Sequence, residues 1–150
     1  MSAIRFAKAG VDVGIVVADA PAQCHFYGEV LGLPKMGEVQ LPNGTLHIFR
    51  CGNSLLKLYA LSGASRGSPA GEFGAHTGIA YVTLDVENLE EVLPSLENAG
   101  VTILTPLSQF DAGVELPEPV GRVQASFAMI ADPEGNRIEL LQRHRVGAAN

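Results

Sequence analysis

Four side chains in this sequence, Asp12, Lys57, Tyr81 and Glu139, are of the types that carry out acid–base chemistry. A carboxylate can take a proton from a substrate. An ammonium or a phenol can donate hydrogen bonds to the oxygen on which charge develops. The four are singled out by a period of two, because successive side chains of a strand point to opposite faces. Val13, Ile15 and Val17 claim one face of the first apolar run, which leaves Asp12, Gly14 and Val16 on the other. The same count gives Leu55, Lys57 and Tyr59, then Tyr81, Thr83 and Asp85, then Arg137, Glu139 and Leu141. Burying charge is costly unless it is paired, and Asp12, Lys57 and Glu139 could meet on such a surface. The plainer reading is that these strands have one wet face carrying ordinary solvated charges.

The elements that must position these residues occur twice. VGIVVADAPAQCHFYGEVLGL (13–33) leads on to GNSLLKLYAL (52–61), and VTLDVENLEEVLPSLENAGV (82–101) leads on to GNRIELLQ (135–142). Each copy reads as an apolar strand, a short helix ending in Leu-Gly or Ala-Gly, and a strand entered through Gly-Asn. A unit used twice has to bury its apolar face against its copy or another subunit, and a cleft between matching strands is expected. Asp19 is the expected cap of the first helix, with Pro21 in its first turn and Gly32 at its end. Leu41-Pro-Asn-Gly44 is a turn signal, followed by a strand over 45–51. A Gly/Ser/Ala-rich stretch, 62–78, reads as a linker between halves or a flap. In the second half Asn88 is the expected helix cap, and Pro94 predicts a kink or a late start. Residues 101–104 read as a strand, 105–124 as an irregular excursion, and 126–130 and 136–142 as the closing strands.

Composition limits the classes of function. The chain has 150 residues, 47% hydrophobic and 17% charged, which fits one globular domain with a real core. A net charge of −6 disfavours nucleic acid, which is bound by clustered Lys and Arg. Cys24 and Cys51 lack CxxC spacing and are expected to be buried thiols in a reducing cytoplasm. No apolar run reaches the roughly 18 residues of a membrane span, and no signal-peptide layout opens the chain. There is no GxSxG, no HExxH and no phosphate-cradling glycine loop.

VDVGIVVADAPAQCHFYGEVLGL followed by DPEGNRIELLQ resembles the vicinal oxygen chelate superfamily of glyoxalase I, bleomycin-resistance proteins and extradiol dioxygenases. The resemblance runs from about Val11 to Gln142. It implies an α+β fold of two βαββ modules forming a cup-shaped mixed sheet with helices on its outer face. Module one would cover about 10–61 and module two about 79–143, commonly in a homodimer. Metal-using members take ligands from the first and last strands of each module. Those positions fall here on Asp12, Lys57, Tyr81 and Glu139, and only Glu139 retains the family's residue type. A protonated Lys has no lone pair, and a phenol of pKa about 10 is seldom a divalent ligand. Two carboxylates alone would hold a metal weakly, so no tightly bound metal is expected, and Lys57 would supply the missing positive charge.

Three functions follow from the resemblance and the altered residues. The first is a metal-independent lyase or isomerase acting on a small carbonyl or oxygenated substrate. Glu139 or Asp12 would be the base, with Lys57 and Tyr81 stabilising the oxyanion. The second is a binding protein of the antibiotic-sequestering kind, its cleft lined by Tyr59, Tyr81, Phe49 and Leu141. Thr83, Arg137 and His47 complete the set of expected ligand contacts. The third is a metal-dependent glyoxalase- or dioxygenase-like enzyme recruiting His47 or His76, which a one-residue slip of register would bring to the site.

Overall fold

The structure is a computed structural model that describes residues 4–67, 73–75 and 77–144. Two compact units divide the chain, Met1–Ser68 and Pro69–Asn150. In the first, β1 (Val13–Val16) is followed by α1 (Ala20–His25), then β2 (Lys35–Leu41), β3 (Gly44–Cys51) and β4 (Ser54–Leu61). The sheet order is β1-β4-β3-β2, with β1 parallel to β4 and the remaining pairs antiparallel. A parallel pair needs a crossover, and α1 supplies it. The second unit repeats the plan: β5 (Val82–Asp85), α2 (Leu89–Asn98), β6 (Thr102–Leu116), β7 (Gly121–Ala131) and β8 (Arg137–Arg143). Its order is β5-β8-β7-β6, again with the first and last strands parallel. Each unit therefore carries the expected βαββ order plus one more strand.

Local chemistry explains the elements. Asp19 caps α1 as expected, its side chain accepting from Ala22 N at 3.0 Å. The helix widens into a π-helical turn over Phe26–Val30, closed by Leu31 N to Phe26 O at 2.9 Å. Gly28 in that turn lies against the Phe49 ring, where an added Cβ would come within 3.1 Å of it. Below the helix the core of the first unit gathers Val17, Phe26, Tyr27, Phe49, Leu56 and Leu58. Each such side chain stabilises the fold by roughly 1.5–3 kcal/mol on burial. In α2, Leu89, Leu93 and Leu96 form one buried stripe at helical spacing.

Three expectations need correction. Pro94 does not delay or end α2, which runs through it, the proline standing on the exposed side. Asn88 stands at the N-cap of α2 as expected but makes no side-chain capping bond; Gln142 Oε1 accepts from Leu89 N at 2.7 Å instead. The stretch 105–124 is mostly a long β6–β7 hairpin rather than irregular chain. Pro106 is tolerated because β6 is the sheet edge, where a missing ladder donor does no harm, and register shifts take up the irregularity. Among the described residues, no helix is long and apolar enough to cross a membrane.

Candidate functional site

The alternation in β1, β4, β5 and β8 is realised in the pairing. Val13 stands opposite Leu56 and Ile15 opposite Leu58 on the helix-covered face, so Gly14 and Lys57 pair on the other. In the second unit Val82 opposes Ile138, and Thr83 pairs with Glu139. Lys57 and Glu139 thus hold matching places in the two units.

In the first unit, Asp12 precedes β1 and is tightly engaged. Its Oδ1 accepts from Leu55 N at 2.8 Å and from the Lys8 ammonium. The Lys57 ammonium is farther off, 4.0 Å from Oδ2. The hydrogen bond from Lys8, and after it the one from Leu55, hold the Asp12 carboxyl below the usual carboxylate range. Lys8 had drawn no attention in the sequence; its i, i+4 spacing to Asp12 was the available signal. Tyr59 lies on the same face as Lys57 with its ring over Gly14, where a Cβ would meet Cε2 at 3.1 Å.

Two expected ligand contacts lie elsewhere. Phe49 opposes Leu56 and is 1% exposed in the core beneath α1, so it lines no open surface. His47 opposes Leu58 on that same helix-covered side and binds Glu38, Nδ1 to Oε1 at 3.0 Å. Both errors have one cause: the β3–β4 turn, not the β3 sequence, fixes which face each residue of β3 takes. His76 lies outside the described residues.

In the second unit, the Glu139 carboxylate accepts from Thr83 Oγ1 at 3.1 Å. Tyr81, just before β5, stacks on Phe73 with ring centroids 6.1 Å apart and planes inclined by 25°. Leu141 and Arg137 are half-buried on the Glu139 side of β8. Farther along that face, Arg143 Nε donates to Asp85 Oδ2 at 2.8 Å, and its Nη1 to Val120 O at 3.3 Å. A cavity of about 870 Å³ opens there, between Asp85, Arg143 and the β6–β7 turn carrying Glu118 and Val120. Arg143 and the hairpin were missed in the sequence, although Arg143 continues the Arg137, Glu139, Leu141 alternation.

The residues at the four chelate positions do not fit a metal. Lys57 offers no lone pair, and Asp12 Oδ1 already receives an ammonium and an amide hydrogen. Among the described residues, no three His, Cys, Asp or Glu side chains come together as a ligand set.

Comparison with known proteins gives the same fold. The family described as Glyoxalase/Bleomycin resistance protein/Dioxygenase superfamily matches residues 11–140. No curated protein matches the sequence. A glyoxalase family protein from Enterococcus faecalis is similar with a TM-score of 0.65 at 24% identity, over 91% of this chain and 99% of that one. The trypanothione-dependent glyoxalase I of Leishmania major gives 0.61 at 20% identity, over 91% and 87%. An antibiotic binding protein from Streptomyces sp. CB03234 gives 0.61 at 22% identity, over 93% and 100%.

Proposed function

The chain belongs to the glyoxalase/bleomycin resistance protein/dioxygenase superfamily, and from that premise we propose a metal-independent enzyme of the lyase or isomerase type. Glu139 takes a proton from the carbon beside a carbonyl of a small oxygenated substrate. The carbonyl oxygen becomes an enolate, for which the Tyr81 hydroxyl is the candidate donor. The proton then returns to a neighbouring carbon, or a leaving group departs from it.

One observation carries this reading. Of the two carboxylates at the chelate positions, Asp12 is engaged by two cations and an amide, whereas Glu139 is held by a neutral hydroxyl. A carboxylate flanked by ammonium groups is a weak base, whereas the hydrogen bond from Thr83 gives the Glu139 carboxylate a fixed direction. Asp12 is accordingly a charge partner in this reading, not the base.

The test is deuterium uptake from D2O into a panel of small 2-oxo and 2-hydroxy carbonyl compounds, followed by proton NMR. Glu139→Gln should slow exchange by about 10²–10⁴-fold, the usual contribution of a positioned base. Exchange unchanged in that variant would overturn the assignment.

The exposed Phe73–Tyr81 pair favours a second reading, sequestration of a flat apolar molecule, and an antibiotic binding protein is among the similar structures. Saturable binding of a flat aromatic compound, weakened by Tyr81→Ala and without exchange on any compound, would favour it. In either case we take the working form to be a homodimer. Ile4, Phe6, Val11 and Ile79 are more than 70% exposed, apolar surface that a second copy would cover.

A further inference from the structure

We propose that Lys57 is an anion-recognition group, and that the surface around it takes a small molecule carrying a carboxylate or similar oxyanion on an apolar body. The inference rests on the first unit alone and stands whether or not Glu139 takes a proton.

Among the described residues Lys57 has a carboxylate nearby but no hydrogen-bond partner. Asp12 Oδ1 receives Leu55 N and the Lys8 ammonium, while Oδ2 lies 4.0 Å from Lys57 Nζ, beyond hydrogen-bonding range. Among the described residues, none accepts a hydrogen bond from Lys57. Its side chain is 32% exposed, so it ends in three N–H donors at a partly covered place with no hydrogen-bond acceptor among the described residues. Two ammonium groups facing one carboxylate leave this patch net positive, against a chain charge of −6.

The neighbours define the rest of the ligand. Gly14 and Ile48 flank Lys57 across the strands, while Leu55 and Tyr59 follow on the same face along β4. None of the four carries a charge. Gly14 adds no side chain, and the Tyr59 ring covers it and forms a wall beside the ammonium. An oxyanion on Lys57 would therefore have its body against Tyr59, Leu55 and Ile48. Less water at such a surface makes the charge-assisted hydrogen bond stronger than on an open one. The matching place in the second unit holds Glu139, of opposite charge, so the duplication does not repeat this site.

Benzoate, benzamide and inorganic phosphate are suitable probes, because they separate charge from ring. The chain has only three lysines, Lys8, Lys35 and Lys57, so ¹³C-dimethylation gives a spectrum that can be assigned by substitution. Dimethylation keeps the charge and one N–H donor. Benzoate should shift the Lys57 signal saturably and leave Lys35 unmoved, while benzamide should shift neither. In calorimetry on the unmethylated protein, Lys57→Met should weaken benzoate at least about tenfold, the lower end for losing a hydrogen bond to a charged group. Lys57→Arg should retain binding within about threefold, which separates a lost charge from a disturbed fold. Phosphate binding as tightly as benzoate would keep the anion site and remove the apolar body from the proposal. Equal binding of benzoate and benzamide, or wild-type affinity in a folded Lys57→Met, would overturn it. So would a Lys57 signal unmoved by all three probes.

Discussion

Asp12 accepts a hydrogen bond from Lys8 and another from Leu55 N, and both favour its charged form. Its folded carboxyl therefore titrates below the ordinary 3.8, and folding gains from that difference wherever the unfolded carboxyl is ionised. The sign follows: the contribution is present above the unfolded value of 3.8 and disappears as acid titrates the folded carboxyl. Asp12→Asn should lower the urea midpoint at pH 7, and the gap from wild type should narrow at pH 3. A gap of constant size across that range would show that the carboxylate's charge is not what matters. Glu38 behaves alike, held low by Lys35 first and by His47 after it. Lys57→Met, by contrast, leaves Lys8 on Asp12 and should change stability by less than about 1 kcal/mol, the usual limit for a loose surface pair. Reversible urea melts of both variants give the comparison.

At the scale of elements, the closest fit in the first unit is the turn between β2 and β3. Gly44 opposes Leu61, and a Cβ at Gly44 would lie 2.0 Å from the Ala60 carbonyl oxygen and 2.9 Å from Leu61 Cα. Both obstacles are backbone, so nothing can swing aside. Gly44→Ala should destabilise by about 1–3 kcal/mol, the usual range for forcing atoms into packed structure. The same change at Gly52, which has open space around it but φ of +56°, should cost less. Urea midpoints of the two variants rank them, and equal losses would show that strained φ, not the close approach, sets the cost. The turn matters beyond stability because it closes the β2–β3 hairpin, and the β3–β4 pairing beside it carries Lys57 and Tyr59 on one face.

At the scale of the molecule, the two units share strand order, parallel pairing and register, and differ in the residues placed at matching points. Gly14 with Lys57 in one unit stands where Thr83 with Glu139 stands in the other. Duplication explains the common scaffold, while divergence has left a cation on one sheet and an anion on the other. In the proposed homodimer a second copy would cover the exposed apolar residues before β1 and before β5. Sedimentation equilibrium should return about twice the chain mass of 15.8 kDa at micromolar concentration. Phe6→Ser and Ile79→Ser should shift the mass toward the monomer, and a monomer in the wild type would end that expectation.

Much of the fold was written in the sequence because its signals are local. Alternation assigned the faces of β1, β4, β5 and β8, Asp19 capped its helix, and DPEGNRIEL marked the family. The candidate residues came from the same alternation, which is why Lys57 and Glu139 lie on the faces expected of them. Other features needed the folded chain. The face taken by His47 and Phe49 follows from hairpin register, a relation between strands rather than within one. Strand formation over 105–124 depends on an edge position that tolerates Pro106. Asp12 is engaged because tertiary structure brings it to Leu55 N across 43 residues, and Glu139 is oriented because β5 pairs with β8. Periodicity gives the direction of a side chain from its own strand. Which groups meet it is set by long-range pairing, and that pairing gives Asp12 an ammonium and an amide as donors and Glu139 the Thr83 hydroxyl.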